Sequence, residues 1–354
     1  MPDEAEASEA AQIMATRPRL KTNRPRLSVC MIVRNEAAVL QRCLDSLDNV
    51  FDELCVVDTG STDDTPAIAL RLGAKVESHT DCNGPDGRIE DFARARNHAL
   101  AMSTGEWILQ IDADEVLLQG HAHIRRHMAQ GQQDEVGIRM RSRGAEWISG
   151  RLFRRTQGLH YRSRIHEYLV HEGRFAIDPR ITIENRESKL GKESASERNM
   201  RLCLLAIQDE PGEARNYHYL GNEYRELQRL DEAIASYRQA LALDTFQVGR
   251  FHTAYYLAVC HLLKADWDEA LDAAFAALRI DPRYAEGPCL LGDIYYSMGQ
   301  PAFARQWYRA ALVHRRPPAD AVLATQAWAY GEHPREQLRK LGAISAGRVS
   351  AFSP

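Results

Sequence analysis

Gly105-Glu106-Trp107-Ile108-Leu109-Gln110-Ile111-Asp112-Ala113-Asp114-Glu115 joins a short apolar run to three carboxylates within four residues. Residues 107–111 are enough for one buried strand. Carboxylates a few ångströms apart repel one another unless a cation lies between them, so the cluster marks a place where positive charge is expected. At the carboxyl end of a strand in an open α/β sheet, that place is where ligands dock. A hard divalent ion held by one or two carboxylates, with phosphate oxygens in its remaining positions, suits this donor set. An isolated Asp-x-Asp is also what a solvated turn or a helix cap looks like, so the preceding chain decides its value.

Upstream, Leu27 to Val33 reads as a buried strand, followed by Arg34-Asn35-Glu36 and a helical stretch with Val39, Leu40, Cys43, Leu44 and Leu47 on one face. Asn35 is expected to cap that helix. A second strand at 53–57 runs into Asp58-Thr59-Gly60-Ser61-Thr62-Asp63-Asp64-Thr65-Pro66, a glycine turn, capping residues and a proline suited to a first helical turn. Asp58 precedes the turn and is too early to cap, whereas Asp63 and Asp64 read as caps. A third short strand is expected at 74–76, a loop at 79–89 and a helix at 91–102. This alternation predicts a parallel, doubly wound sheet.

The chain has 354 residues, enough for two domains with separate cores. Its net charge of −4 gives no reason to expect nucleic acid as a partner. Seven scattered cysteines without a CxxC pair argue for a reducing compartment, and no run reaches the ~18 apolar residues of a membrane span. With no signal-peptide pattern at the amino terminus, a cytoplasmic location is expected. Residues 1–25 read as a disordered tail, with membrane-surface contact by its basic part as the lesser alternative.

Beyond the carboxylates, 136–140 and 151–153 look like strands, and Arg164-Ile165-His166-Glu167-Tyr168-Leu169 precedes a last β-like stretch at 174–183. Arg151, Arg154 and Arg155 are either phosphate contacts or an exposed basic strand. A polar stretch around 187–196 marks a boundary, so domains are expected at 26–188 and 189–345. The second repeats itself. Leu220-Gly221-x-x-Tyr224 is followed by Ala233, Tyr237 and Ala240; Leu257-Ala258 by Ala270, Ala274 and Ala277; Leu291-Gly292-x-x-Tyr295 by Ala304, Tyr308 and Ala311. The leading leucines are 37 and 34 residues apart, which is the tetratricopeptide pattern. A leading helix is expected at 199–207 and a polar capping helix at 321–341.

Together, Ser28-Val29-Cys30-Met31-Ile32-Val33-Arg34-Asn35-Glu36, the Val56 to Thr65 stretch, Arg96-Asn97 and Asp112-Ala113-Asp114-Glu115 resemble the family-2 glycosyltransferases with an α/β nucleotide-sugar-binding (GT-A) domain. The resemblance covers about residues 27–185. With the all-α tetratricopeptide-repeat domain behind it, the whole looks like the architecture of bacteriocin S-glycosyltransferases and related peptide glycosyltransferases. That resemblance implies a donor nucleotide site at Arg34, Glu36, Asp58, Arg96 and Asp112, with Asp58 on uracil or ribose and Arg96 facing base and diphosphate. A surface arginine remains the alternative for Arg96. It also implies a divalent metal, Mn²⁺ or Mg²⁺, at Asp114, Asp112 and His166, with Asp114 as direct ligand, Asp112 contacting ribose or bound water, and His166 as a further ligand. Glu167 is then the candidate general base beside Asp114 as catalytic residues, against a surface His-Glu pair.

The expected activity is transfer of a sugar from a UDP-sugar to a peptide or protein acceptor, by inversion if the family pattern holds. The concave surface of the repeats suits an extended peptide, and self-association is its competing use. No Gln-x-x-Arg-Trp motif of processive polysaccharide synthases is present. A polysaccharide or lipid-linked acceptor is the alternative enzyme reading, and a tetratricopeptide scaffold with an inactive transferase domain is the non-enzyme one.

Overall fold

A computed structural model describes residues 26–47, 49–142, 145–186, 194–321 and 323–349. The tail expected at 1–25 and most of the polar boundary stretch lie outside the described residues. The chain divides into two compact units, Met1–Ser142 with Ile148–Lys192, and Arg143–Trp147 with Glu193–Pro354.

The first unit is built on an eight-stranded sheet in the order β3-β2-β1-β4-β7-β6-β10-β5. Strands β1 (Leu27–Val33), β2 (Glu53–Asp58), β3 (Lys75–Ser78) and β4 (Trp107–Gln110) run parallel, connected through α1 (Leu40–Ser46), α2 (Thr65–Arg71) and α3 (Phe92–Met102). β1 and β2 are buried along nearly their whole length, as their continuous Val/Leu/Cys/Ile runs require for a sheet covered on both faces. β2 lies on one side of β1 and β4 on the other, so the connection reverses between β1 and β4 and opens a crevice at their carboxyl ends. The register sets Val33 beside Asp58 and Cys30 beside Gln110, which brings the residues following all three strands to one edge.

The parallel half follows the sequence expectation. The other half is mixed: β7 (Ala145–Arg154) pairs antiparallel with β4, and β10 (Phe175–Asn185) pairs parallel with β6 (Glu135–Ser142) and antiparallel with β5 (Glu115–Gln119). β5 and α4 (His121–Gln130) were not foreseen, because β5 begins inside the carboxylate cluster and shows no long alternation. β8 (His160–Arg162) and β9 (Tyr168–Val170) form a separate hairpin ladder. Asn35 does not cap α1: its backbone is left-handed and its side chain accepts from Thr62 N–H at 2.8 Å, while Val39 occupies the cap position without a side-chain bond. Short side chains Ala93 and Ala99 let α3 lie close to the sheet beside Cys30, Cys55, Ile108 and Phe153, while Ala95 packs against Cys82 and Ile89. Gly105, which opens the decisive stretch, permits contact with Ser28; a Cβ there would stand 2.8 Å from the Ser28 nitrogen.

The second unit contains helix pairs, α6 (Ala214–Glu226) with α7 (Leu230–Leu243), α8 (Arg250–Lys264) with α9 (Trp267–Ile280), and α10 (Glu286–Ser297) with α11 (Pro301–Ala311). They follow α5 (Ala195–Asp209), the expected leading helix, and precede α12 (Glu332–Val349). The repeated small residues are close-packing positions. A Cβ on Gly221 would meet the Tyr237 ring at 2.6 Å, and one on Gly292 the Tyr308 ring at 2.5 Å. In the middle repeat both positions are alanine, Ala258 and Ala274, so the missing ring leaves room for the added methyl. The longer first spacing falls in the α7–α8 connection, which holds a 3₁₀ turn at Gln247–Gly249. Residues 321–341 are not one capping helix: Ala327–Tyr330 is a 3₁₀ turn, and α12 begins only at Glu332. Among the described residues no helix is long and apolar enough to cross a membrane.

Candidate active site

Asp112-Ala113-Asp114-Glu115 leaves β4 as a tight turn, closed by Glu115 N–H donating to the Asp112 carbonyl at 3.0 Å. The Glu115 carboxylate turns back and accepts from Asp112 N–H at 2.9 Å. At the end of β10, Arg186 N–H donates to the Asp114 carbonyl at 2.8 Å, which pins the other side of the turn. The backbone thus holds the carboxylates at the mouth of the β1/β4 crevice.

The charge that this clustering demands comes from the protein itself. Arg96, on α3, donates to Asp112 at 3.0 Å and through Nε to Glu167. Arg151, on β7, donates to Glu115 at 3.0 Å and to Gln110, and lies 3.7 Å from Asp112. Burial opposes ionisation of Asp112, and the two guanidinium groups overcome it and hold its carboxyl below the usual range. Burial pushes Glu115 up to about 7, with Arg151 acting against the rise. Burial likewise works against the Arg96 cation, and Asp112 and Glu167 more than offset it. Tyr161 lies beneath, with its ring centroid 6.0 Å from the Arg96 guanidinium carbon.

Asp58 is buried at the end of β2, where its oxygens accept from Gly60 N–H at 3.3 Å and Ser61 N–H at 3.2 Å. It therefore does bond the turn that follows it, although it caps no helix. Asp63 serves α2 as expected, accepting from Thr65 N–H at 3.0 Å, and it also accepts from Ala37 N–H at 3.2 Å. Asp64, the other expected cap, takes the N-cap position without a side-chain bond. With Glu36 N–H donating to Thr65 Oγ1 at 2.7 Å, these bonds lace the β1 and β2 exits into one shelf. Arg34 reaches from that shelf to the Gly87 carbonyl at 2.7 Å, and Asn83 donates to the Thr59 carbonyl at 2.9 Å, so the 79–89 loop is tied down over the strand ends.

His166 and Glu167 stand between β8 and β9. Ser163 and His166 both have left-handed backbone, and the Arg164 carbonyl accepts from Phe92 N–H at 2.9 Å, which secures the loop to the start of α3. The structure thus brings Asp112, Arg96 and Glu167 into direct contact. Among the described residues no three His, Cys, Asp or Glu side chains form a group able to hold a metal ion by themselves. The chemistry present fits a hard ion held by one or two carboxylates and completed by phosphate and water oxygens, since Asp114 and Asp112 are both oxygen donors on one turn.

Arg151 corrects the expectation of an exposed basic strand, being mostly buried and paired with Glu115 beside Asp112. Arg155 is structural as well: its guanidinium donates to the Gly105 carbonyl at 3.1 Å and to carbonyls at the end of α3. Arg154 is exposed. Gln110, a buried amide at the end of an apolar strand, was the one local signal that a polar partner would face it.

Comparisons with known proteins agree with this architecture. The family model described as glycosyl transferase family 2 matches residues 28–170, and a TPR repeat model matches residues 221–245. A TPR repeat-containing protein of Synechococcus elongatus is 31% identical over 309 residues, which is 81% of this chain and 75% of that protein. An uncharacterized glycosyltransferase of Rickettsia felis is 40% identical over 92 residues, 26% of this chain and 30% of its own length. The SPbeta prophage-derived glycosyltransferase SunS of Bacillus subtilis is 35% identical over 102 residues, 27% of this chain and 22% of that one.

Proposed function

The chain belongs to the family 2 glycosyltransferases and carries tetratricopeptide repeats, and on that premise we propose that it moves a sugar from a UDP donor to a peptide or protein acceptor, with inversion and with a divalent ion. The observation that carries this reading is the gathering of Arg34, Asp58 and the Asp112–Asp114 turn at the ends of three adjacent strands, with Arg96 joined to Asp112. Asp58 accepts from the uracil N–H or the ribose, and Arg34 and Glu36 flank the nucleotide from the β1 exit. Arg96 turns its guanidinium to the diphosphate, where paired hydrogen bonds suit its planar fork. Asp114 and Asp112 would hold Mn²⁺ or Mg²⁺, with phosphate and water oxygens completing the shell. Among the described residues His166, the further ligand the resemblance implied, does not gather with them into a three-residue group. When bound, the ion neutralises charge on the diphosphate leaving group.

Glu167 is the proposed base. Arg96 now occupies it, and a diphosphate that recruits Arg96 releases Glu167 to accept the acceptor's proton. The peptide or protein acceptor is proposed because a helical-repeat array accompanies the transferase domain. Seven free, buried thiols suit a reducing, cytoplasmic setting.

Titration calorimetry with UDP and with GDP, each with and without Mn²⁺, tests the reading. Metal-dependent binding of UDP alone is expected, and Asp114→Ala should abolish the metal dependence at an unchanged melting temperature. A folded protein that binds neither nucleotide would overturn it, and a preference for GDP would replace the donor.

A further inference from the structure

The first helices of the three repeats, α6, α8 and α10, do more than pack on their partner helices. A second set of their side chains meets a stretch of the chain's own later sequence. Leu323 packs with Ala214 and Phe246 at the first repeat. The Ala324 backbone stands beside His252, and the Gln326 side chain beside Tyr256, one turn apart on α8. On α10, Glu286 accepts from Gln326 N–H at 2.8 Å and from the Tyr330 hydroxyl at 2.6 Å. Cys289 Sγ lies 3.4 Å from the Ala329 carbonyl, and Ala329 itself is buried among Ala285, Cys289 and Ala311. His333 closes the run, its Nε2 2.7 Å from Asp293.

Glu286, Cys289 and Asp293 recur at helical spacing, so they form one stripe on α10. Across these helices, residues 323–331 run from the first repeat to the third with one 3₁₀ turn, which is how a peptide lies on a helical-repeat array.

Glu286 supplies an independent reason to read this as a binding groove. Its residue is 2% exposed, and no arginine or lysine pairs with it among the described residues. A buried carboxylate is costly unless donors reach it. The two donors that other residues bring to its carboxylate, the Gln326 backbone N–H and the Tyr330 hydroxyl, come from the 323–331 run. Take the run away and a groove remains with an acceptor at its base.

We infer that residues 323–331 are an internal ligand of the repeat groove. An external protein binds there as an extended peptide with small side chains and an aromatic hydroxyl directed at Glu286, and it must displace the resident run. The inference stands on the second unit alone and is independent of any sugar transfer by the first.

The test uses the full chain and a fluorescein-labelled peptide of residues 323–333, read by anisotropy. Ala329→Glu places a charge where a methyl is buried and expels the resident run. That variant should bind the peptide at least tenfold more tightly than the unsubstituted protein, and adding Glu286→Ala should remove the gain. An Ala329→Glu protein with unchanged helical circular dichroism that binds no better overturns the inference, as does equally tight binding by the unsubstituted chain. If Ala329→Glu does not fold, hydrogen exchange of the unsubstituted protein decides. Amides of Gln326 and Ala329 that exchange tens of times faster than those of α10 support a run that lifts off by local opening. Exchange in step with α10 makes it part of the core and overturns it.

Discussion

Arg96 donates to Asp112 and Glu167 together, and Arg151 to Glu115 beside them, so two cations answer the carboxylates concentrated at one strand end. Removing one side of such a pair leaves a charge without compensation, which costs about 3–5 kcal/mol where burial is complete. Asp112 keeps 30% side-chain exposure, so Arg96→Met should lower the unfolding free energy in urea by a smaller amount, about 2 kcal/mol. Adding Glu167→Gln should return part of that loss; strictly additive effects would mean that the two groups do not interact. The glycine–tyrosine pairs of the repeats make a second residue-scale case. Gly292→Ala should destabilise by about 1–3 kcal/mol through overpacking on Tyr308. In a Tyr308→Ala background, which imitates Ala258 and Ala274, the same methyl should cost nothing or stabilise. The carboxylate turn from Asp112 to Glu115 was legible in the sequence because its members are neighbours there. The role of Arg151 was not: its partners lie on another strand, and nothing near it in the chain distinguishes it from Arg154.

At the scale of elements, the early helices and parallel strands follow from period and punctuation, because glycine, proline and capping residues bound them within a few positions. The run ahead of α12 shows where that logic stops. Its alanines at 321, 324, 327 and 329 look helical, yet Glu286 and the Ala329 pocket hold 327–330 as a 3₁₀ turn. Its anchor is pH-sensitive. The hydrogen bond to Asp293 raises His333 above its ordinary value against partial burial, with Glu336 adding and Lys340 opposing. A raised histidine stabilises the folded state fully below the unfolded value of about 6.5, and that contribution fades as pH climbs through the higher folded value. The melting temperature of His333→Gln should therefore fall furthest below the parent under mildly acidic conditions, and the gap should close above neutrality. A gap that does not change with pH would leave the pair without a role in stability.

At the scale of the molecule, the two compact units each have a buried core, one around β1, β2 and β4 and the other within the helix pairs. Scanning calorimetry should resolve this. UDP with Mn²⁺ should raise a transition that Gly292→Ala leaves alone, because a ligand stabilises only the folded unit that binds it. A single transition moved by both would show one cooperative unit in their place.

Local sequence was sufficient for the parallel half of the sheet, the carboxylate-bearing strand end and the helix pairs, since each is written in residues a few positions apart or at a repeated offset. The tertiary structure alone decided three further things. These are the mixed second half of the sheet, the guanidinium groups that neutralise Asp112 and Glu115, and the seat of residues 323–331 on α8 and α10. Each depends on partners far apart in the chain, where neither period nor spacing carries a signal, and burial with charge compensation selects them only once the chain has closed on itself.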